Sequence, residues 1–147
     1  MERELFDREM MAGEPLPFEL PQWIACAPFE EYLGICIDAA RDGTATLSMP
    51  FRVKLAQGKG LMHGGALTAL ADTAVAMAIK SVLPEDSHFA TTGLALTFHA
   101  PVKGGTVRAE ARIIARDDRE ITGEAIIYDD NNVKVATFTS TFRVKRR

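Results

Sequence analysis

The segment that most constrains the fold of this chain runs from His63 to about Leu83. It begins HGGALTALADTAVAMAI and is rich in alanine and leucine, which are strong helix formers. Apolar residues cover nearly its whole circumference, so the pattern predicts a helix that is buried on every side. Pro84 is expected to end this helix. A chain that contains such a helix has to surround it with the rest of its structure.

The sequence on both sides of this helix alternates between apolar and polar residues, as β-strands do. Before it, residues 35–49 alternate around a turn at 41–43, which predicts a β-hairpin. After it come four alternating stretches separated by short turns, at 90–100, 106–114, 120–128 and 133–144. Parallel pairing requires crossovers of a dozen or more residues, so we expect these four strands to form an antiparallel meander. The whole pattern predicts an α+β fold whose sheet curls round the helix.

A proline-rich leader precedes this region. We predict a leader of residues 1–33, irregular to about residue 27, with a short helix that begins at Pro28 and ends at Gly34. Residues 34–147 then form the main domain, since 147 residues are the length of one ordinary domain. The N-terminus lacks the apolar region of a secretory signal, and no segment is long enough to span a membrane. We therefore expect a cytoplasmic protein with no membrane partner.

Charge and cysteine content exclude several classes of function. The chain has 17 basic and 20 acidic residues, and its one basic cluster is the tail at 143–147, so nucleic acid is not expected as a partner. Cys26 and Cys36 have neither redox nor zinc-ligand spacing, which predicts free thiols. His88 and His99 have no third ligand at a useful spacing, so we predict no metal site.

One carboxylate, Asp72, interrupts the apolar helix. An unpaired buried charge costs several kcal/mol, so such a group is usually paired, neutralised or used. The glycines Gly64 and Gly65 leave the first N–H groups of the helix uncovered, either to bind an oxygen or to allow close packing. Gly64 and Asp72 are about 12 Å apart along the helix, too far to act on one carbonyl group. They meet only if two helices run antiparallel across a symmetric dimer; otherwise Asp72 has a structural role.

The stretch QGKGLMHGGALTALADTAVAMA resembles the signature of hotdog-fold acyl-CoA thioesterases, specifically the PaaI-like (4-hydroxybenzoyl-CoA thioesterase) family. In this signature Asn or Gln precedes His-Gly-Gly by six residues, and an acidic residue follows the first glycine by eight. The matching positions are Gln57, His63, Gly64, Gly65 and Asp72. The resemblance covers about residues 34–144. It implies an antiparallel sheet of five or six strands wrapped around a long central helix, and subunits that form homodimers and homotetramers.

The resemblance also implies a reaction, the hydrolysis of a small aromatic or medium-chain acyl-CoA to free acid and coenzyme A. The site would lie between two subunits and need no cofactor beyond the coenzyme A of the substrate. Asp72 would be the nucleophile or the general base, and the N–H of Gly64 or Gly65 of the second subunit would polarise the thioester carbonyl. Gln57 would orient water or the thioester, and His63 would support the loop or lie near the carbonyl.

Further residues are assigned to this site by the same resemblance. A hydroxyl on the next strand would help to place the water; Thr91 is favoured and Thr92 is its neighbour, and only one can serve because they point to opposite faces. Met77 and parts of the leader would line the acyl pocket. The basic candidates for the coenzyme A phosphates are Arg52, Lys54, Lys103, Arg112 and the tail.

Two other functions fit parts of the pattern. A hotdog hydratase or dehydratase pairs an acidic residue with a catalytic histidine in a different loop, and no such pair is visible. A non-catalytic protein that binds acyl groups or coenzyme A would have no reason to retain Gln57, His63 and Asp72 together. Hydrolysis is therefore the leading hypothesis. The acyl group, and whether it is carried by coenzyme A or an acyl-carrier protein, stay open.

Overall fold

The computed structural model describes residues 3–145 and contains one six-stranded sheet around a long helix. The helices and strands in chain order are α1 (Arg3–Asp7), α2 (Pro28–Leu33), β1 (Cys36–Arg41), β2 (Thr44–Pro50), α3 (Gly64–Lys80), β3 (His88–Phe98), β4 (Thr106–Arg116), β5 (Glu120–Tyr128) and β6 (Lys134–Lys145). The order across the sheet is β1-β2-β4-β5-β6-β3, and each neighbouring pair is antiparallel. The predicted α+β architecture, with five or six strands around a central helix, is confirmed.

Local signals at both ends of α3 fix its length. At the start, Nδ1 of His63 accepts a hydrogen bond of 2.8 Å from the Gly65 N–H, which is the role of an N-cap residue. At the end, the Ser81 hydroxyl donates to the Ala78 carbonyl at 2.6 Å. This bond and the Ser81 backbone N–H satisfy carbonyls that the helix leaves without partners. The helix therefore ends at Lys80, before the expected end near Leu83.

Small residues allow the sheet to lie close to α3. Ala71, Ala74 and Ala78 are fully buried in the helix. On β5, a Cβ added to Gly123 would collide with the Val75 side chain, so only glycine permits this approach of strand and helix. The helix contacts all six strands, which confirms the prediction that the sheet surrounds it.

The predicted four-strand meander is correct for β4, β5 and β6 and wrong for β3. β3 pairs with β6 and lies at the edge of the sheet, with Thr91 opposite Phe142. The segment that follows β3 crosses beneath the start of α3, where the Met62 N–H donates to the Val102 carbonyl at 2.9 Å. This crossing allows β4 to pair with β2 and complete the wrapping of the helix.

As a result, β3 leaves one edge of the sheet without a strand partner in the single chain. Two apolar side chains of this strand are only half covered: Leu94 is 49% exposed and Phe98 is 52% exposed. Lysine, glutamate and proline, which commonly protect edge strands, are absent from its eleven residues, HFATTGLALTF. Such an edge is suited to pairing with another strand.

The leader packs on the same core as the sheet, through the buried Leu33 and the partly buried Ile24 and Cys26. α2 has the predicted bounds, and Gly34 ends it in the left-handed conformation with a φ of 79°. The expectation of an irregular leader is wrong at α1, whose sequence RELFD contains good helix formers and an acid in its first turn. The division into a leader of 1–33 and a domain of 34–147 stays a prediction.

Cys26 and Cys36 are free thiols in the structure. Within residues 3–145, no helix is long and apolar enough to cross a membrane.

Candidate active site

The Asp72 carboxylate on α3 is held by the hydroxyl of Thr91 on β3. The Thr91 Oγ1 is 2.9 Å from Asp72 Oδ2 and 3.1 Å from Oδ1. A hydroxyl has one hydrogen to donate, so the carboxylate keeps free lone pairs for a further donor such as water. Among the described residues, no Lys, Arg or His forms an ion pair with Asp72.

Asp72 also lines a cavity of about 670 Å³ between α3, β3 and β6. Burial raises the pKa of its carboxyl above the ordinary value, and the hydrogen bond from Thr91 opposes part of the rise. A carboxylate with a raised pKa is a stronger base. Because Asp72 faces open space, it can take a proton from a water molecule in the cavity.

The start of α3 presents one free N–H group. The Gly65 N–H already donates to Nδ1 of His63 at 2.8 Å. The Gly64 N–H has no acceptor among the described residues, and it points from the end of the helix where the macrodipole is positive. The structure therefore distinguishes the two glycines, which the sequence left equivalent. Gly64 is the one that can bind a carbonyl oxygen without displacing His63.

Gln57 lies in the loop before α3. Its Oε1 accepts a short hydrogen bond from the Lys59 backbone N–H, and its own N–H donates to the Leu61 carbonyl at 2.8 Å. These bonds fold the loop on itself and leave the Gln57 side-chain amide N–H groups for other partners. The side chain lines a cavity of about 400 Å³ together with Gly64 and Phe98.

The candidate catalytic residues are thus divided among three cavities within one chain. Asp72 and Thr91 line the first, and Gln57 and Gly64 line the second. His63 lines a third, of about 250 Å³, together with Gly65. The chain brings together Asp72 and Thr91, and separately Gln57 and Gly64.

The two neighbouring threonines of β3 have different partners, at a point where the strand register shifts between Thr91 and Gly93. Thr91 points toward Asp72, whereas the Thr92 hydroxyl is exposed and donates to the Thr141 carbonyl at 3.1 Å. Met77, the candidate for the acyl pocket, is buried and lines the same cavity as Asp72. Its position agrees with the expected pocket.

The predicted basic residues lie in different places. Lys103 is exposed in the segment between β3 and β4. Arg112 is on the outer face of the sheet, where its guanidinium pairs with Glu124 at 2.6 Å, away from the Asp72 cavity. From the basic tail, Arg143 and Lys145 line that cavity, whereas residues 146–147 are outside the described residues.

The sequence led us to expect parts of the leader at the acyl pocket, but it did not identify the residues at the far end of the Asp72 cavity. Its wall contains Trp23 from the leader, Lys80 from the last turn of α3, Phe89 from β3 and Phe142 from β6. These residues come from four segments far apart in the chain, so no local spacing could have grouped them. The one available signal was a single tryptophan in a proline-rich leader.

Comparison with known proteins identifies the family. Residues 59–136, more than half of the chain, match the family model described as the thioesterase superfamily. The chain belongs to the thioesterase superfamily. The proofreading thioesterase EntH of Klebsiella pneumoniae is 33% identical over 106 residues, which cover 72% of this chain and 77% of EntH. Like EntH, this superfamily member is a thioester hydrolase.

Solved structures show the same fold. A mutant of the phenylacetic acid degradation protein PaaI from Thermus thermophilus superimposes with a TM-score of 0.73 at 28% identity, covering 80% of this chain and 98% of that one. The PaaI protein from the phenylacetic acid degradation operon of E. coli has a TM-score of 0.75 at 25% identity, over 82% and 86% of the two chains. The six-stranded sheet around α3 is therefore the hotdog thioesterase fold.

Proposed function

We propose that this thioester hydrolase cleaves acyl-CoA, as expected for the PaaI-like (4-hydroxybenzoyl-CoA thioesterase) family, with a small aromatic or medium-chain acyl group. The observation that carries the proposal is the Asp72 carboxylate, which is held by Thr91, has a raised pKa and faces an open cavity. The similarity to EntH and to the PaaI proteins supports a thioester substrate.

Asp72 acts as the general base in the simplest mechanism. It takes a proton from water while the water oxygen bonds to the thioester carbonyl carbon, and the carbonyl oxygen becomes an oxyanion. The Gly64 N–H donates to that oxygen. When the intermediate collapses, the carbon–sulfur bond breaks, the sulfur takes the proton that Asp72 accepted from water, and the acid and free coenzyme A are released. In the alternative, an Asp72 oxygen bonds to the carbonyl carbon, the carbon–sulfur bond breaks and the coenzyme A thiolate leaves; water then hydrolyses the resulting anhydride to the free acid and Asp72.

The site is composed of two subunits in this proposal. Asp72 and Gly64 are about 12 Å apart along one helix and line different cavities, so one chain does not bring both to one carbonyl group. A symmetric dimer with antiparallel α3 helices places each Asp72 beside the Gly64 of the other subunit. The open edge of β3, with the exposed Leu94 and Phe98, supports an edge-to-edge homodimer. Two such dimers would form the expected homotetramer.

A cysteine nucleophile is not needed for this reaction. Burial and the nearby Glu30 and Glu31 raise the pKa of the Cys26 thiol, which makes it a poor source of thiolate. A thioester is already an activated acyl group, so a general base and one preorganised donor are sufficient.

The proposal is tested by the release of free thiol from a panel of aliphatic and aromatic acyl-CoA substrates. The parent protein, Asp72→Asn and Asp72→Ala are compared, with the exposed Asp38→Asn as the matched control. We expect both Asp72 variants to lose at least about 100-fold in kcat, the usual contribution of a general base, and the control to match the parent. Full activity in both Asp72 variants would exclude the mechanism, and no thiol release by the parent would favour an acyl-binding protein.

A further inference from the structure

We propose that Trp23 of the leader, fixed by Lys80, is the end wall of the acyl cavity and limits the length of the acyl group that the enzyme accepts. The inference rests on the proposed function and adds a specificity-determining residue outside the matched motif.

The Asp72 cavity extends along α3 and β3. Its helical wall consists of residues on one face of α3, from Asp72 through Ala76 to Lys80, which spans about 12 Å along the axis. Its strand wall follows β3 from Thr91, beside Asp72, to His88. A thioester held at Asp72 therefore directs its acyl chain along α3 toward the last turn of the helix.

Trp23 closes that end through reciprocal hydrogen bonds with Lys80. The Trp23 indole N–H donates to the Lys80 carbonyl at 2.9 Å, and the Lys80 ammonium donates to the Trp23 carbonyl at 2.9 Å. The ammonium also lies 4.6 Å from the centre of the indole ring, within the range of a cation–π interaction. Three interactions between two residues 57 positions apart hold the leader on the end of α3.

The hydrogen bond from the Trp23 indole to the Lys80 carbonyl has a structural cause. The Lys80 carbonyl is one of the last carbonyls of α3, which have no partner within the helix. The Trp23 indole supplies the missing donor, so the leader takes this position to complete the helix end. The same contact places a large apolar ring at the end of the cavity.

The ring belongs to an aromatic wall. Trp23 meets Phe89 edge to face, with ring centres 6.5 Å apart, and Phe89 packs against Phe142 at 5.7 Å. All three line the cavity opposite the helix. The three rings give this end of the cavity an apolar surface that suits a hydrocarbon chain, beside the charged Glu30, Lys80, Arg143 and Lys145 that also line the cavity.

Trp23 lies outside the part of the chain that matches the family model. The 59–136 match to the family model begins well after Trp23. The end wall is therefore made by a segment outside the matched region.

The first test is a chain-length profile of kcat/KM with butanoyl-, octanoyl- and dodecanoyl-CoA. In Trp23→Ala we expect the dodecanoyl-to-octanoyl ratio to rise roughly tenfold, with butanoyl-CoA little affected. Trp23→Phe retains an aromatic wall and should stay close to the parent ratio. Lys80→Met removes the ammonium hydrogen bond and the cation–π contact but keeps the backbone carbonyl that accepts from the indole, so it should shift the ratio in the same direction as Trp23→Ala by a smaller factor. Leu16→Ala, at an exposed leader position, is the matched control.

The inference would be overturned if folded Trp23→Ala and Lys80→Met kept the parent's dodecanoyl-to-octanoyl ratio of kcat/KM. An equal loss of kcat/KM for every substrate would also overturn it. If Trp23→Ala does not fold, Lys80→Met and Trp23→Phe still give the comparison. A parent enzyme that hydrolyses acyl-CoA with a profile independent of Trp23 would contradict this inference and leave the proposed function intact.

The second test does not depend on turnover, because Trp23 is the only tryptophan of the chain. The Asp72→Asn variant is titrated with octanoyl-CoA and with coenzyme A alone while tryptophan emission is recorded. We expect octanoyl-CoA to change the emission and coenzyme A alone to leave it unchanged. Binding of octanoyl-CoA, measured by calorimetry, without any change in emission would contradict the inference. A change in emission in Asp72→Asn together with no thiol release by the parent protein would contradict the proposed function instead.

Discussion

The ring of Phe98 packs directly on Gly64, so that a Cβ added to Gly64 would lie 2.9 Å from Cζ of Phe98. Gly64 does not have a positive φ, and glycine is required here for the close approach of the ring. Phe98 is half exposed on the edge strand and can move only outward, where we place the second subunit. The contact therefore connects the free N–H of Gly64 with the proposed dimer interface.

Substitutions at Gly64 separate the steric role of this residue from its N–H group. Gly64→Ala adds a Cβ and keeps the N–H; we expect a loss of about 1 kcal/mol in stability as the Phe98 ring shifts, and a partial loss of activity. Gly64→Pro also removes the N–H. Proline is tolerated at the first helical position, and His63 has the extended conformation that precedes proline, with φ −61° and ψ 132°.

If the Gly64 N–H stabilises the oxyanion, kcat for Gly64→Pro falls about 100-fold or more below that of Gly64→Ala. Thermal denaturation of both variants shows whether the helix is retained. Equal kcat values in two folded variants would assign the oxyanion to another donor.

Removal of the Thr91 hydroxyl should change both the pKa and the orientation of the Asp72 carboxylate. In Thr91→Val, Asp72 loses the hydrogen bond that lowers its pKa, so the acid limb of the kcat/KM profile should move to higher pH. We expect kcat to fall roughly tenfold because the carboxylate is also no longer oriented. Thr92→Val is the matched control, since its hydroxyl donates to the Thr141 carbonyl rather than to Asp72. A shift in the control but not in Thr91→Val would reverse the assignment of the two threonines.

The sequence was sufficient to predict the parts of this site that depend on local spacing. The His-Gly-Gly start and the Asp72 position are properties of short segments, and the resemblance that they carry also named Thr91. Strict alternation with Leu96 would turn Thr91 away from the helix; a register shift between Thr91 and Gly93 lets its hydroxyl reach Asp72. The placement of β3 beside β6 could not be predicted in this way. Alternation identifies a strand but does not determine its neighbour, and here the choice depends on wrapping the whole helix.

The end wall and the distinction between the glycines were also out of reach of the sequence. Trp23 and Lys80 are 57 residues apart, and their contact depends on where the leader meets the end of α3. Gly64 and Gly65 look equivalent until the conformation of the His63 side chain shows that it takes the Gly65 N–H. Both features are long-range or conformational, and no residue pattern encodes them.

His63 contributes to stability as the N-cap of α3. His63→Ala removes the acceptor of the Gly65 N–H and should lower the free energy of unfolding by about 1 kcal/mol. His63→Asn can still cap the helix, so it should retain most of the stability that the cap contributes. The free energies of unfolding of the parent and the two variants are measured by urea denaturation. They are compared directly when the three m-values are equal. Equal destabilisation of both variants would show that contacts other than the cap hold His63.

Asp72→Asn should stabilise the fold while it abolishes activity. Because burial raises the pKa of Asp72 in the folded state, its contribution to stability is fully present below the unfolded pKa and is lost as the pH rises through the folded value. At neutral pH the parent protein carries a partly buried, charged carboxylate at Asp72, which lowers its free energy of unfolding. The asparagine variant has no charge at this position. We expect a higher Tm for Asp72→Asn at neutral pH, with a difference that shrinks toward acid pH. A lower Tm at neutral pH would contradict the burial argument.

A mixture of two inactive variants tests whether each site is shared between subunits. In a mixed dimer of Asp72→Asn and Gly64→Pro, one site carries both defects and the other carries neither. Random assembly makes half of the dimers mixed, so co-refolding of equal amounts should restore about a quarter of the parent activity. Each variant refolded alone stays inactive and serves as the control. If mass analysis confirms mixed dimers but activity does not exceed that of the separate variants, Asp72 and Gly64 do not act across the interface. That result would place each complete site within one chain, although the two residues lie about 12 Å apart along α3.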